Sequence, residues 1–285
     1  IMDKFVLLQF YALVKREVLE NRNLFVAAPA VLALLMLVAA IWVVSFLPDD
    51  RLVSFVEYLG VLFDGLSPTE MAPFFMVVAI PFLIVFYVCC LAYSLNALYQ
   101  DRRDMSIYFW QSMPVSNLKT VLSKVFTLAL VAPLFYIASI FVFYLFAMIG
   151  LIIFGVTNDV DVAGLGWMFL ASVASLFLVY FSALSATLWL FPTLGWLLLF
   201  SAFARKTPLL WAVGAFILVG FLEGFVFGTQ YLGNFIQSRT GNFNQYLIMS
   251  FGDVFDRLFN YDMLFGVFMG SILIAGAVLM RRFTD

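Results

Sequence analysis

The chain has 285 residues, 65% of them hydrophobic and 11% charged, where soluble domains carry ~25% charged residues. That composition excludes a soluble globular protein and reads as an integral membrane protein. With a net charge of −2, no histidine, and two cysteines that are neighbours inside an apolar run (Cys89 and Cys90), neither a disulfide framework nor a Cys/His metal site is expected. Nothing points to nucleic acid.

Residues 3–23 open with an apolar stretch too short to cross a bilayer, followed by Lys15, Arg16, Glu17, Glu20 and Arg22. This predicts an interfacial helix. Residues 24–47 form a first span; the run is too long for the apolar part of a signal peptide and leads into Pro48-Asp49-Asp50, so it reads as a retained anchor. Around Leu52 to Phe63 a small surface helix is expected. Spans two and three cover 73–99 and 125–154. Residues 167–204 stay apolar for nearly twice the length of one span, and Pro192 predicts one crossing helix with a kink or break that continues to the inner face. A tight hairpin of two spans is the rival, which would place Arg205 and Lys206 outside. Spans five and six occupy 208–227 and 263–280, separated by a polar, aromatic external segment, 228–261.

Between spans two and three lies 100–118, whose part Gln100 to Ser116 is the densest polar interval between apolar runs. Asp101, Arg102, Arg103 and Asp104 follow one another, and four charges in succession cannot lie in hydrocarbon at reasonable cost, so the stretch sits outside the bilayer. Met105 to Met113 alternates apolar and polar residues at helical spacing until Pro114 stops it. A short amphipathic helix between two spans suits a docking surface. Of the 15 basic residues, all but Arg51, Arg239 and Arg257 fall on the side of this loop and the termini. The excess of positive charge on cytoplasmic loops places both termini and the loop in the cytoplasm.

No GxxxxGK[ST] loop is present, so the chain does not hydrolyse ATP alone. Without histidine, hydrolytic catalysis needs a Ser/Lys or paired-carboxylate arrangement, and the predicted spans hold no lysine and no carboxylate pair. Ion-coupled carriers keep ionisable groups at membrane depth; here span two offers polar groups such as Tyr93 and Asn96, and span five only Glu223. Energy therefore enters from another protein. Tyr93, Asn96 and Glu223 are the candidates for a translocation path or gate: Asn96 reads as a helix-packing hydrogen bonder or a substrate ligand, and Glu223 as a solvated boundary residue or an outer gate. Gly266 and Gly270, four apart, with Ala277 one heptad further, give span six a flat packing stripe.

An interfacial helix, six spans, the loop DRRDMSIYFWQSMPVS after span two, GWLLLFSAFARKTPLLW leading into span five, and a last span closing on Arg281-Arg282 resemble the permease subunits of bacterial ABC-2 type transporters over essentially the whole chain. The resemblance implies an all-α membrane fold of six transmembrane helices, of the type V exporter-like kind, in the bacterial cytoplasmic (inner) membrane. It implies a coupling helix docked on a separate ATP-binding subunit, with Asp101, Arg102, Arg103, Asp104 and Ser116 in the docking stretch and Tyr108, Phe109 and Trp110 inserted into a cleft of that partner. It further implies a second permease copy, ATP and magnesium held by the partner and no cofactor in this chain. An external segment folding back toward the membrane is implied as well. The expected function is export of a lipid-like, amphipathic or hydrophobic peptide substrate. A non-transporting scaffold that recruits a soluble partner through the same loop is the alternative, and a self-powered carrier a second one.

Overall fold

In hydrocarbon every backbone N–H and C=O must be satisfied within its own segment, so long apolar runs form helices. The computed structural model describes residues 2–104, 115–160, 164–240 and 250–283, and every regular element among them is helical. Among the described residues six helices are long and apolar enough to cross a membrane: Asn23–Phe46, Pro68–Arg103, Asn117–Thr157, Gly166–Trp189, Pro208–Phe227 and Tyr261–Arg282. This is the pattern of a multi-span membrane protein.

In chain order, α1 (Met2–Glu20) leads through a π-turn (Asn23–Ala27) into α2 (Ala28–Phe46), followed by α3 (Asp49–Phe63) and α4 (Pro68–Arg103). Then α5 (Asn117–Phe126) runs through a second π-turn (Thr127–Val131) into α6 (Ala132–Thr157). After these come α7 (Leu165–Trp189), α8 (Phe191–Phe203), and α9 (Pro208–Leu222) with a closing π-turn (Glu223–Phe227). The short helices α10 (Tyr231–Thr240) and α11 (Phe251–Leu258) precede the last span, α12 (Tyr261–Phe283).

The first two π-turns have one cause. Each is followed by Ala-Pro, Ala28-Pro29 and Ala132-Pro133. A proline donates no hydrogen bond and its ring clashes with the carbonyl four residues back; a wider turn moves that carbonyl aside. Accordingly the N–H groups of Ala28 and Ala132 bond five residues back, to the carbonyls of Asn23 and Thr127. The next carbonyl in the first turn, that of Leu24, faces Pro29, and the Tyr136 hydroxyl donates to it at 3.0 Å. Tyr136→Phe leaves that carbonyl without a donor. The expected cost is about 1–3 kcal/mol, read as a lower melting temperature of the purified protein; an unchanged melt would show that the bond contributes nothing.

At 36 residues α4 is about 54 Å long, well beyond a hydrocarbon core of about 30 Å. The α7–α8 pair runs beside it in the same direction. Met168 and Ala171 share an apolar cluster with Met71, toward the start of α4, and near its end the Ser201 hydroxyl accepts from the N–H groups of Leu98 and Tyr99 at 3.0 and 2.9 Å. Residues 165–203 therefore form one bent rod, not a hairpin. The bend lies at Leu190 (φ −81, ψ 2), and the Leu194 N–H still donates to the Leu190 carbonyl at 2.9 Å. Pro192 sits in the first turn of α8, where a missing N–H has little to lose.

Helix ends depart from the sequence reading on both sides of the stretch after span two: the third span, expected from 125, begins at Asn117. The second span, expected to end at residue 99, continues to Arg103, so Asp101, Arg102 and Arg103 form the last helical turn instead of a loop. Partner charges inside the bundle, described below, make that continuation possible. The segment between α9 and α12 also leans inward: Phe251 packs edge-on against Phe181 at 6.1 Å, Val254 is buried in the main core, and Arg257 lies beside Trp189.

Candidate functional site

Helix α1 presents two faces. Leu7, Leu8 and Tyr11 are exposed, as a helix lying in an interface requires, whereas Leu13 and Glu17, one turn apart, turn toward the bundle. Glu17 is 1% exposed and meets Lys124 of α5 (2%), which also meets Asp101 of α4 (4%), and Asp101 in turn meets Arg281 of α12 (4%). The Lys124 ammonium lies 2.8 Å from the Glu17 carboxylate and 3.5 Å from that of Asp101. Arg281 reaches Asp101 at 3.1 Å and Arg16 reaches it at 3.6 Å. The Tyr93 hydroxyl donates to Glu17 at 2.9 Å. Arg16 also bonds Glu20 at 2.6 Å.

Taking such charges out of water costs several kcal/mol per ion, so a buried set persists only when its signs balance and its geometry is close. Here Glu17 and Asp101 oppose Lys124 and Arg281, one from each of four helices. The cluster ties α1, the end of α4, the last turn of α5 and the end of α12 into one unit. Helix α8 joins through Arg102, whose guanidinium donates to the carbonyls of Phe203 and Ala204 at 3.3 Å. Carbonyls at a helix C-terminus have no helical partner, and a basic side chain from a neighbour satisfies them. The first and last helices thus both reach Asp101 at the same end of the bundle, through Arg16 and Arg281.

That end also carries both roots of the polar stretch after span two. On the far side Ser116 caps α5, its hydroxyl accepting from the Lys119 N–H at 3.3 Å, and the Lys119 ammonium donates to the Gln9 side chain of α1 at 3.4 Å.

The residues proposed from sequence separate into distinct groups. Asp101 faces the cluster and Arg102 is engaged with α8, while Arg103 and Asp104 are exposed and bond each other at 2.9 Å. Tyr108, Phe109 and Trp110 lie outside the described residues. Asn96 is exposed and donates to its own helix, to the Ala92 carbonyl at 2.9 Å. Tyr93 belongs to the ionic cluster. Glu223 is a cap: its carboxylate accepts from the Thr229 hydroxyl at 3.1 Å, from the Leu232 N–H at 3.0 Å and from the Tyr231 N–H, closing the start of α10. Gly266 lies under the Arg239 guanidinium, Gly270 against Phe191, and Ala277 is fully buried.

Sequence reasoning missed Glu17, Lys124 and Arg281, which read as ordinary basic and acidic flanks. The predicted spans held no lysine or carboxylate pair, yet the third helix begins early enough, at Asn117, to bring Lys124 between two carboxylates. One signal was present: Thr120, Lys124 and Thr127 recur at helical spacing on the face that continues into the buried side of the span. At the other end Arg239 and Arg257 lie 4.6 and 5.9 Å from the Trp189 ring. Among the described residues no group of acidic or cysteine side chains is placed to hold a metal ion. Compared with known protein families, curated proteins and solved structures, the chain finds no match in any of the three.

Proposed function

We propose that this chain is the membrane subunit of an ATP-driven transporter of the ABC-2 type, an exporter of a lipid-like, amphipathic or hydrophobic peptide substrate, powered by a separate ATP-binding subunit. In this reading two copies assemble with two ATPases in the bacterial inner membrane, with the ionic cluster on the cytoplasmic side. The observation that carries it is the convergence of α1, α4, α5, α8 and α12 at the polar stretch Gln100 to Ser116. A push on that stretch reaches four transmembrane segments through buried ion pairs and backbone bonds, so work done by a docked partner moves the spans together. A loop that only bridged two helices would not need this rooting.

The test is purification of the chain from its native host in mild detergent, with identification of co-purifying proteins and an ATPase assay. The variant is Arg103→Ala with Trp110→Ala; Arg102 is spared because it closes the end of α8. A stoichiometric ATP-binding protein that is lost from the variant, with vesicle transport falling at least tenfold and the melt unchanged, is the expected result. A co-purifying partner without nucleotide chemistry replaces this reading with the scaffold, and transport that persists without ATP replaces it with a carrier.

A further inference from the structure

One corner of the charged end holds an excess of basic groups that the ionic cluster does not use. Arg102 lies against the carboxyl end of α8, bonded to the carbonyls of Phe203 and Ala204, which sets it beside Arg205, the next residue in the chain. Its Nε is buried and makes no hydrogen bond. Arg205 and Arg281 crowd it with like charge; Arg281 is spent on Asp101, whereas Arg205 and Lys206 are exposed and enter no described ion pair.

Directly after this pair the chain turns through Thr207, in the left-handed region (φ 47), and enters α9. Only 6% of the apolar window of that helix is buried inside the protein, the least of the six candidate spans. Leu209, Leu210 and Trp211 are exposed within its first turn, and the Trp211 ring packs edge-on against Phe203 at 5.8 Å. An indole at the mouth of an exposed apolar helix suits the level where headgroups sit. Basic groups therefore stand at headgroup height, directly before an open apolar track one span long.

We infer that this corner binds the anionic headgroup of an acidic phospholipid, with Arg102, Arg205 and Lys206 as its basic wall and the exposed side of α9 as the track for the acyl chains. Charge complementarity selects the occupant: a phosphate diester with no balancing amine suits three cations beside a hydrocarbon surface, and a zwitterionic headgroup does not. The site is independent of the transport reading, since it needs neither an ATPase nor a substrate.

The experiment is native mass spectrometry of the full chain in detergent with equal amounts of phosphatidylglycerol and phosphatidylcholine. Each basic residue near the surface strengthens attraction to an anionic lipid about fivefold. The wild type retains phosphatidylglycerol preferentially, Arg205→Gln with Lys206→Gln weakens that retention roughly 30-fold, and phosphatidylcholine is unaffected. Lys206→Gln alone, with about a fivefold loss, serves if the double variant does not purify. Lys15→Gln on α1 with Arg22→Gln just after it leaves retention within twofold. Three results overturn the site: wild-type retention in the Arg205/Lys206 variant, an equal loss in the Lys15/Arg22 variant, or displacement of the lipid by millimolar inorganic phosphate, which would make a free anion the occupant.

Discussion

Lys124→Met lowers the unfolding free energy by about 3–5 kcal/mol, the largest single effect expected for the chain. Methionine keeps an unbranched apolar stem of similar length, so little packing is lost. What disappears is the cation held between Glu17 and Asp101, at 2.8 and 3.5 Å. Both carboxylates are buried, and Glu17 then has only the Tyr93 hydroxyl to offset its charge among the described contacts. Removing one member of a buried pair costs more than removing both, because the remaining charge stays desolvated. The double variant Glu17→Gln with Lys124→Met therefore recovers much of the loss, with the glutamine carbonyl still accepting from Tyr93. Thermal melts of the purified proteins decide this: a double variant no more stable than Lys124→Met would mean that the cluster matters through packing and not charge.

The topology was legible because each crossing segment had to be a long apolar run, and the basic residues marked which ends belong together. The ionic cluster was not. Glu17, Asp101, Lys124 and Arg281 come from segments scattered over the whole chain, and apart from the helical spacing of Thr120, Lys124 and Thr127 they read locally as solvated flanks; only the packing of four helices brings them within 4 Å. The same three-dimensional fact extended α4 beyond its predicted end, since Asp101 can stay helical and buried once Lys124 and Arg281 face it. Glu223 shows the converse. Its place near the end of an apolar span suggests a gate or a wet boundary; what the sequence did not announce is that the chain returns after Gly228 (φ +62) and delivers the start of α10 to the carboxylate. A return of that kind depends on where the segment 228–261 packs, which local sequence does not state.

Gly270→Val separates α8 from α12 and costs about 1–3 kcal/mol. A Cβ at Gly270 would stand 2.6 Å from Cδ1 of Phe191 and 2.7 Å from its backbone carbonyl carbon and oxygen, and a Cβ at Gly195 would stand 2.8 Å from the Gly270 carbonyl oxygen. The obstacles are backbone atoms, which cannot rotate out of the way, so the helices themselves must move. Small residues at membrane helix crossings permit this approach, and here the crossing lies between the ionic cluster, where Arg281 ends α12, and the Arg239 contacts near its start. Gly214→Ala, in α9, is the matched control. Nothing lies within 4 Å of its added Cβ, and alanine favours a helix by about 1 kcal/mol over glycine. The expected melts therefore diverge, lower for Gly270→Val and equal or higher for Gly214→Ala; a Gly270→Val protein that melts with the wild type would remove the close crossing as a determinant of the fold.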